Sequence, residues 1–282
     1  MDFPVSRLLD KTEFGLNGES ISVPSWAFTP DQWSRAFLRG LIKVAPTWEN
    51  SNVWEVGVGT GINIALLRKY ATNATWFLSD YNQRCVPLAI RNILHFKLTR
   101  RNLRPLVGSW DLVTPPKETR QRVPKVNVVF GCLPQVPSEE NLSFGDRRAH
   151  YYNPRQYWEA HSNALGLGLN EALLQRAKKV LYPKGQVVLN LSGRPGLKKL
   201  QSLFLEAGYQ PNVVWEETIP QHVGTSLASL AALETTGHHH DFEFFKDSRC
   251  TSRIGAREAE ARRIKGQAIF HKIYVIAGTL VT

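Results

Sequence analysis

An α/β fold, a mostly parallel sheet flanked by helices, is what this sequence predicts, and three observations predict it. The stretch Val53-Trp54-Glu55-Val56-Gly57-Val58-Gly59-Thr60-Gly61 runs from strand formers into alternating glycines, and Ile62 to Leu67 follows with helical character. A second strand-like run, Thr75 to Ser79, ends in Asp80, 19 positions beyond Gly61. Val126 to Phe130 and Val187 to Leu191 are near-continuous apolar runs, the pattern of strands buried on both faces.

The glycine turn carries the chemistry. Glycine is needed where a backbone turns tightly or lets a ligand approach without a Cβ in the way. A turn from strand into helix also leaves N–H groups unpaired, which suits a polar or anionic group. The spacing is G-x-G-x-G, with Ile62 where a dinucleotide fingerprint wants its last glycine. An ordinary βα turn is the competing reading. Asp80 argues against it, because an acid about 20 residues on accepts hydrogen bonds from ribose hydroxyls in βαβ nucleotide sites.

Size and composition set limits. With 282 residues, 43% hydrophobic, the chain can bury one large domain or a domain with a small cap. We expect a helical cap segment over 1–45 and the main domain over 46–282. No apolar run reaches the roughly 20 residues of a membrane span, so no membrane partner is expected. The first residues lack a signal-peptide apolar region. Cys85, Cys132 and Cys250 have neither disulfide nor metal spacing, so a reduced cytoplasm is expected and no metal. The net charge of +11 gathers in Arg91 to Arg104, Lys117 to Lys125 and Arg249 to Lys265. These runs lack the interleaved aromatics of single-strand nucleic-acid binders and read as solvated surface. A homo-oligomer stays open.

In chain order, Thr29-Pro30-Asp31 reads as a helix start, with Thr29 capping and proline at the first helical position. Trp33, Phe37 and Leu41 then form one stripe, either over a ligand pocket or into the core. A helix from Cys85 to Lys97 turns Val86, Ala89, Ile90, Ile93 and Leu94 inward, and Leu103 to Val107 is a third strand. Residues 114–125 read as a loop, and Val126 to Phe130 ends at Gly131-Cys132-Leu133-Pro134-Gln135, a strand end where ligands bind in such sheets. Tyr151-Tyr152 and Tyr157-Trp158 precede a helix from Leu169 to Leu181. These aromatics are either core or a cage for a cation, whose charge is drawn to ring faces. Arg194, on the turn after Val187 to Leu191, either forks onto a carboxylate or makes a surface ion pair. Val213 to Trp215 and Leu227 to Leu233 read as further strand-like or buried segments, Ala256 to Ile264 as a helix and Phe270 to Leu280 as a final strand. His238, His239 and His240 are adjacent and cannot all face one ion.

The glycine turn with Glu55 and Asp80 resembles motif I of class I S-adenosylmethionine (SAM) methyltransferases. That resemblance implies a Rossmann-like, mostly parallel seven-stranded sheet. It also implies SAM bound by Glu55, Gly57, Gly59, Gly61, Asp80, Tyr81 and Gly131, with Asp111 toward the adenine amino group. Longer blocks narrow the match. Trp33 within Pro-Asp-Gln-Trp, Gly131-Cys132-Leu133-Pro134-Gln135, Leu167-Gly168-Leu169, Gly193-Arg194-Pro195-Gly196 and His240-Asp241-Phe242-Glu243-Phe244-Phe245 follow in that order. Together, over about residues 24–246, they resemble the methyltransferase domain of methionine S-methyltransferases. In the plant enzymes a large aminotransferase-like region follows. This chain is similar to the compact bacterial form linked to dimethylsulfoniopropionate (DMSP) synthesis.

The resemblance implies L-methionine as the small-molecule substrate and SAM as methyl donor. Tyr152, Tyr157 and Gln135 are the implied catalytic groups, and Arg194, Trp33 and Cys132 the implied substrate contacts. The chain departs from the family at Ser192-Gly193-Arg194-Pro195, where Gly-Gly-Arg-Pro is usual, and matches poorly after 250. It also lacks the Asn-Pro-Pro-Tyr with which amide and adenine methyltransferases hold a planar nitrogen. Two other functions are weighed: N-methylation of another small amine or amide, and nucleic-acid binding by a vestigial SAM fold with a basic surface.

Overall fold

The computed structural model describes residues 2–7, 18–96, 100–135, 162–235 and 241–281. A short antiparallel pair, β1 (Asp2–Pro4) with β2 (Ser20–Ser22), precedes helix α1 (Gln32–Val44). The alternating core then begins: β3 (Asn52–Val56), α2 (Ile62–Leu67), β4 (Thr75–Ser79), α3 (Cys85–His95), β5 (Leu103–Pro105), β6 (Val126–Gly131). Next come α4 (Gly168–Ala177), β7 (Leu181–Ser192), α5 (Leu197–Glu206) and β8 (Tyr209–Pro220). The rest is α6 (Ala228–Thr235), β9 (Phe244–Phe245), β10 (Arg253–Ile254), α7 (Ala256–Ile264) and β11 (Phe270–Leu280).

Seven strands form the expected sheet, in the order β5-β4-β3-β6-β7-β11-β8. The first five run parallel, while β11 lies antiparallel between β7 and β8. Among the described residues the full sheet has nine strands, because β9 and β10 extend it beyond the carboxyl end of β7. Two apolar clusters cover the two faces. One holds Trp54, Val129, Leu189 and Ile276 with α4 and α5. The other holds Val53, Trp76, Phe130, Val188 and Val275 with α1, α2 and α3. Neighbouring strand residues go to opposite clusters, as the pleat requires for strands buried on both sides.

Helix α1 is placed by two features. Asp31 is its cap, its carboxylate accepting from the N–H groups of Trp33 (2.9 Å) and Ser34 (3.1 Å). The cap is therefore Asp31, not Thr29. A carboxylate two residues later reaches the same orphan amides and suits the positive end of the helix dipole. Gly40 then lets the helix lie close on β11, since a Cβ there would sit 2.6 Å from Val275. The segment before residue 46 thus shares the apolar cluster of the sheet.

Other boundaries moved for physical reasons. Leu227 to Leu233 falls largely within helix α6, with Leu230 buried in the helix and Leu227 buried just before it, at a helical three-residue spacing. Helix α4 ends at Ala177, and Leu181 already opens β7. Val213 to Trp215 is the middle of the twelve-residue β8. Among the described residues, no helix is long and apolar enough to cross a membrane.

Candidate active site

The glycine turn sits at the carboxyl ends of β3 and β4. Gly57, Gly59 and Gly61 all have positive φ (74°, 52° and 77°). The amides of Gly57 and Val58 both donate to the Ser79 carbonyl, and Gly59 N–H donates to Asp80 Oδ2 at 2.9 Å. The three glycines do different jobs. A Cβ at Gly61 would lie 2.8 Å from the Ala89 backbone, so this glycine lets α2 and α3 touch. A Cβ at Gly57 would meet Leu133 at 3.5 Å. A Cβ at Gly59 would meet nothing within 4 Å. The open side of the turn is at Gly59.

Two buried carboxyl groups flank it. Asp80, 8% exposed, accepts from Gly59 N–H through one oxygen and from Asn82 N–H at 2.8 Å through the other. Burial pushes its pKa up, while those backbone bonds oppose the shift. Glu55, 2% exposed, accepts from Asn63 Nδ2 at 2.7 Å through Oε1, and its Oε2 has no partner among the described residues. Burial pushes the Glu55 pKa up to about 8, against the Asn63 bond and with help from the Asp80 charge. At neutral pH Glu55 is therefore largely a protonated acid.

Beside Asp80, Tyr81 is exposed and its carbonyl accepts from the Ser109 hydroxyl. The Trp110 amide donates to the Asp80 carbonyl at 3.0 Å, and its ring packs edge-on against Trp54. These bonds bring the loop after β5 to the turn, contacts that the sequence reading missed. Asp111 is in the same loop, with its carboxylate paired to Arg176 of α4 at 2.7 Å. Gly131 ends β6, where a Cβ would strike the Val56 carbonyl at 2.8 Å, so this glycine serves strand packing. Leu133 contacts both the Gly57 and Gly131 positions and joins the turn to the strand ends beyond it.

Those strand ends carry a second polar group of residues. Trp33, Cys132, Gln135 and Arg194, picked out in the sequence, come together here with two residues that were not: Asn190 and His271. The buried Asn190 amide donates to the Trp33 carbonyl (3.0 Å) and to Cys132 Sγ (3.3 Å), and its Oδ1 has no partner. Gln135 accepts from the Ser192 amide at 2.7 Å. The Arg194 guanidinium lies 5.9 Å from the Trp33 ring centre, and the His271 ring lies 5.8 Å from it on centroids. Burial raises the Cys132 thiol to about 12, so this cysteine is no thiolate nucleophile. Asn190 was legible as one polar residue inside an apolar strand. His271 carried no local signal.

Tyr152 and Tyr157, with Tyr151, Trp158 and His238 to His240, lie outside the described residues. The arrangement pairs an open, glycine-edged turn beside two buried acids with a polar cluster at the carboxyl ends of β6 and β7 and the start of β11. It suits a nucleoside ligand next to a small polar one.

No protein-family model matches the sequence. The chain is similar to the methionine S-methyltransferases of Hordeum vulgare (28% identical over 275 residues), Zea mays (28% over 278) and Arabidopsis thaliana (27% over 280). Each match covers 90% of this chain and 25% of the relative, so the chain spans about a quarter of the relatives' length. Solved structures with a similar chain path include a methyltransferase from Pyrococcus furiosus, 15% identical, TM-score 0.48, with 96% of each chain covered. Another is precorrin-6y C5,15-methyltransferase from Geobacter metallireducens, 13% identical, TM-score 0.45, also with 96% of each chain covered.

Proposed function

We propose that this chain is a SAM-dependent methyltransferase that methylates the thioether sulfur of L-methionine, giving S-methyl-L-methionine and S-adenosylhomocysteine. The observation that carries the reading is the open space at Gly59 beside the buried Asp80 carboxylate. A nucleoside edge fits where a Cβ has no neighbour, and Asp80 keeps acceptor capacity for ribose hydroxyls. The name of the relatives, methionine S-methyltransferase, supplies methionine as substrate and methyl transfer as reaction.

Gly57, Gly59, Gly61, Asp80 and Tyr81 would hold the nucleoside, with Glu55 beside it and Asp111 and Gly131 at the margins. SAM supplies a methyl group activated by attachment to a sulfonium sulfur. A thioether has no proton to lose, so the protein need not provide a general base. What the chain provides is alignment, since holding reacting atoms about 3–3.5 Å apart in line removes much of the barrier. Arg194 takes the methionine carboxylate, Cys132 and Gln135 line the approach, and Trp33 shuts out water. Tyr152 and Tyr157 remain candidates for stabilising the sulfonium product through their ring faces. In this reading the segment over 1–45 is the cap, and the product feeds DMSP synthesis.

Transfer of label from methyl-labelled SAM tests the proposal. Label should appear in S-methylmethionine when methionine is supplied. Label that goes instead to simple amines or amides, or to none of a panel of amino acids, would replace the reading.

A further inference from the structure

His271 sits at the start of β11 and is 1% exposed. Both of its ring nitrogens lack a hydrogen-bond partner among the described residues. Buried polar atoms normally find partners, and leaving one unpaired costs about 1–3 kcal/mol, so such a ring asks for an explanation. The sheet register supplies one. Ile273 pairs with Ser192, and the Gly193 amide still donates to the Lys272 carbonyl at 2.8 Å. Beyond it the chain turns, the Gly196 amide donating to the Gly193 carbonyl at 2.8 Å, and this turn carries Arg194 at the end of β7 beside the start of β11, where His271 lies.

Pleating puts Asn190 and Ser192 on the face that carries Val275, Ile273 and His271. Trp33 covers this column, within 6 Å of both the guanidinium and the imidazole. Trp33 also packs against a small apolar cluster of Ala36, Ile219 and Ile273. Burial and the Arg194 charge both hold the imidazole neutral. A neutral imidazole offers one N–H donor and one acceptor.

We propose that His271 is a substrate-binding residue whose ring N–H donates to the same substrate carboxylate that Arg194 engages. The inference rests on the reading of a small carboxylate-bearing substrate given above. The Arg194 guanidinium is a fork suited to a carboxylate, and a neutral ring beside it adds a directed donor without adding charge. The carboxylate relieves the unpaired donor. The pair therefore reads the carboxylate end of the substrate, whatever group lies at the reacting end.

Comparing ligands in two variants tests this. His271→Phe keeps the ring volume and loses the donor, while His271→Gln keeps a side-chain N–H. A hydrogen bond to a charged group is worth enough that His271→Phe should raise KM for methionine about 10- to 150-fold. SAM affinity should stay unchanged, and His271→Gln should recover part of the loss. The decarboxylated analogue 3-(methylthio)propylamine should be used equally well by wild type and His271→Phe. Equal losses for methionine and the analogue would make His271 a packing residue and overturn the inference. Ring-labelled histidine NMR of the wild-type protein gives an independent reading. Methionine and 3-(methylthio)propanoate should shift the His271 nitrogens, and the amine should not. A His271 signal unmoved by both carboxylates overturns the inference even if methionine is methylated. A signal moved by the carboxylates without methyl transfer to methionine upholds it and removes methionine as substrate instead.

Discussion

The Gly59 amide donates to the Asp80 carboxylate at 2.9 Å, so one side chain both fixes the glycine turn and faces its open side. Asp80→Ala should weaken SAM binding about 10- to 150-fold, the range for losing a bond to a charged group. Asp80→Asn, which keeps one acceptor, should lose less. Calorimetric titration of both variants checks this, and near-normal affinity in a folded Asp80→Ala protein would take Asp80 out of the site.

Gly59 and Gly61 should fail in different ways. Gly61→Ala drives a Cβ to 2.8 Å from the Ala89 backbone and should lower the melting temperature by several degrees. A Cβ at Gly59 meets no neighbour, so the cost of Gly59→Val to the fold is chiefly its left-handed backbone, about 1–2 kcal/mol, while its side chain fills the nucleoside space. It should stay folded and lose SAM binding. Thermal melts beside calorimetry separate the two. Normal SAM binding by Gly59→Val would leave the turn structural.

Glu55 predicts a pH dependence with a definite sign. Its pKa rises from 4.5 when unfolded to about 8 when folded, chiefly through burial. Between those values the folded chain binds more protons, so this residue makes stability fall as pH rises, by on the order of 5 kcal/mol in all. Glu55→Gln should flatten that fall, as denaturant melts at pH 5 and pH 8 would show. A cationic ligand favours the ionised carboxylate, so SAM binding near pH 7 should release a fraction of a proton. Calorimetry in buffers of different ionisation enthalpy counts it.

Arg194→Lys tests the carboxylate end. Lysine keeps the charge and loses the two-pronged geometry. KM for methionine should rise while SAM affinity stays nearly unchanged. Loss of SAM binding with intact methionine kinetics would move Arg194 out of the substrate pocket.

Much of this was readable from sequence because it is local. The Gly57 to Gly61 turn, Asp80 at the end of its strand, and the apolar runs of β6 and β11 each show within a dozen residues. The helix cap was misplaced by two residues because Thr29 and Asp31 are both good caps and only geometry decides between them. Leu227 to Leu233 reads as strand-like or buried, and so short an apolar stretch does not separate a strand from a helix: Leu227 and Leu230 are buried, but the stretch lies largely on helix α6. His271 was missed for a deeper reason. Its role depends on the pairing of β11 with β7, residues about 80 apart, and no local pattern encodes that register.

The place of β11 has a consequence for synthesis. It lies between β7 and β8, yet both of those strands are translated before it. Until β11 has emerged from the ribosome, β7 and β8 cannot reach their partner and each exposes an open edge. Unpaired edges invite wrong pairing. The nucleoside half, β3 to β6, can assemble on the growing chain, while the Arg194 and His271 half must wait. Nascent chains stalled before Phe270 should therefore be the ones that chaperones hold and that aggregate when released.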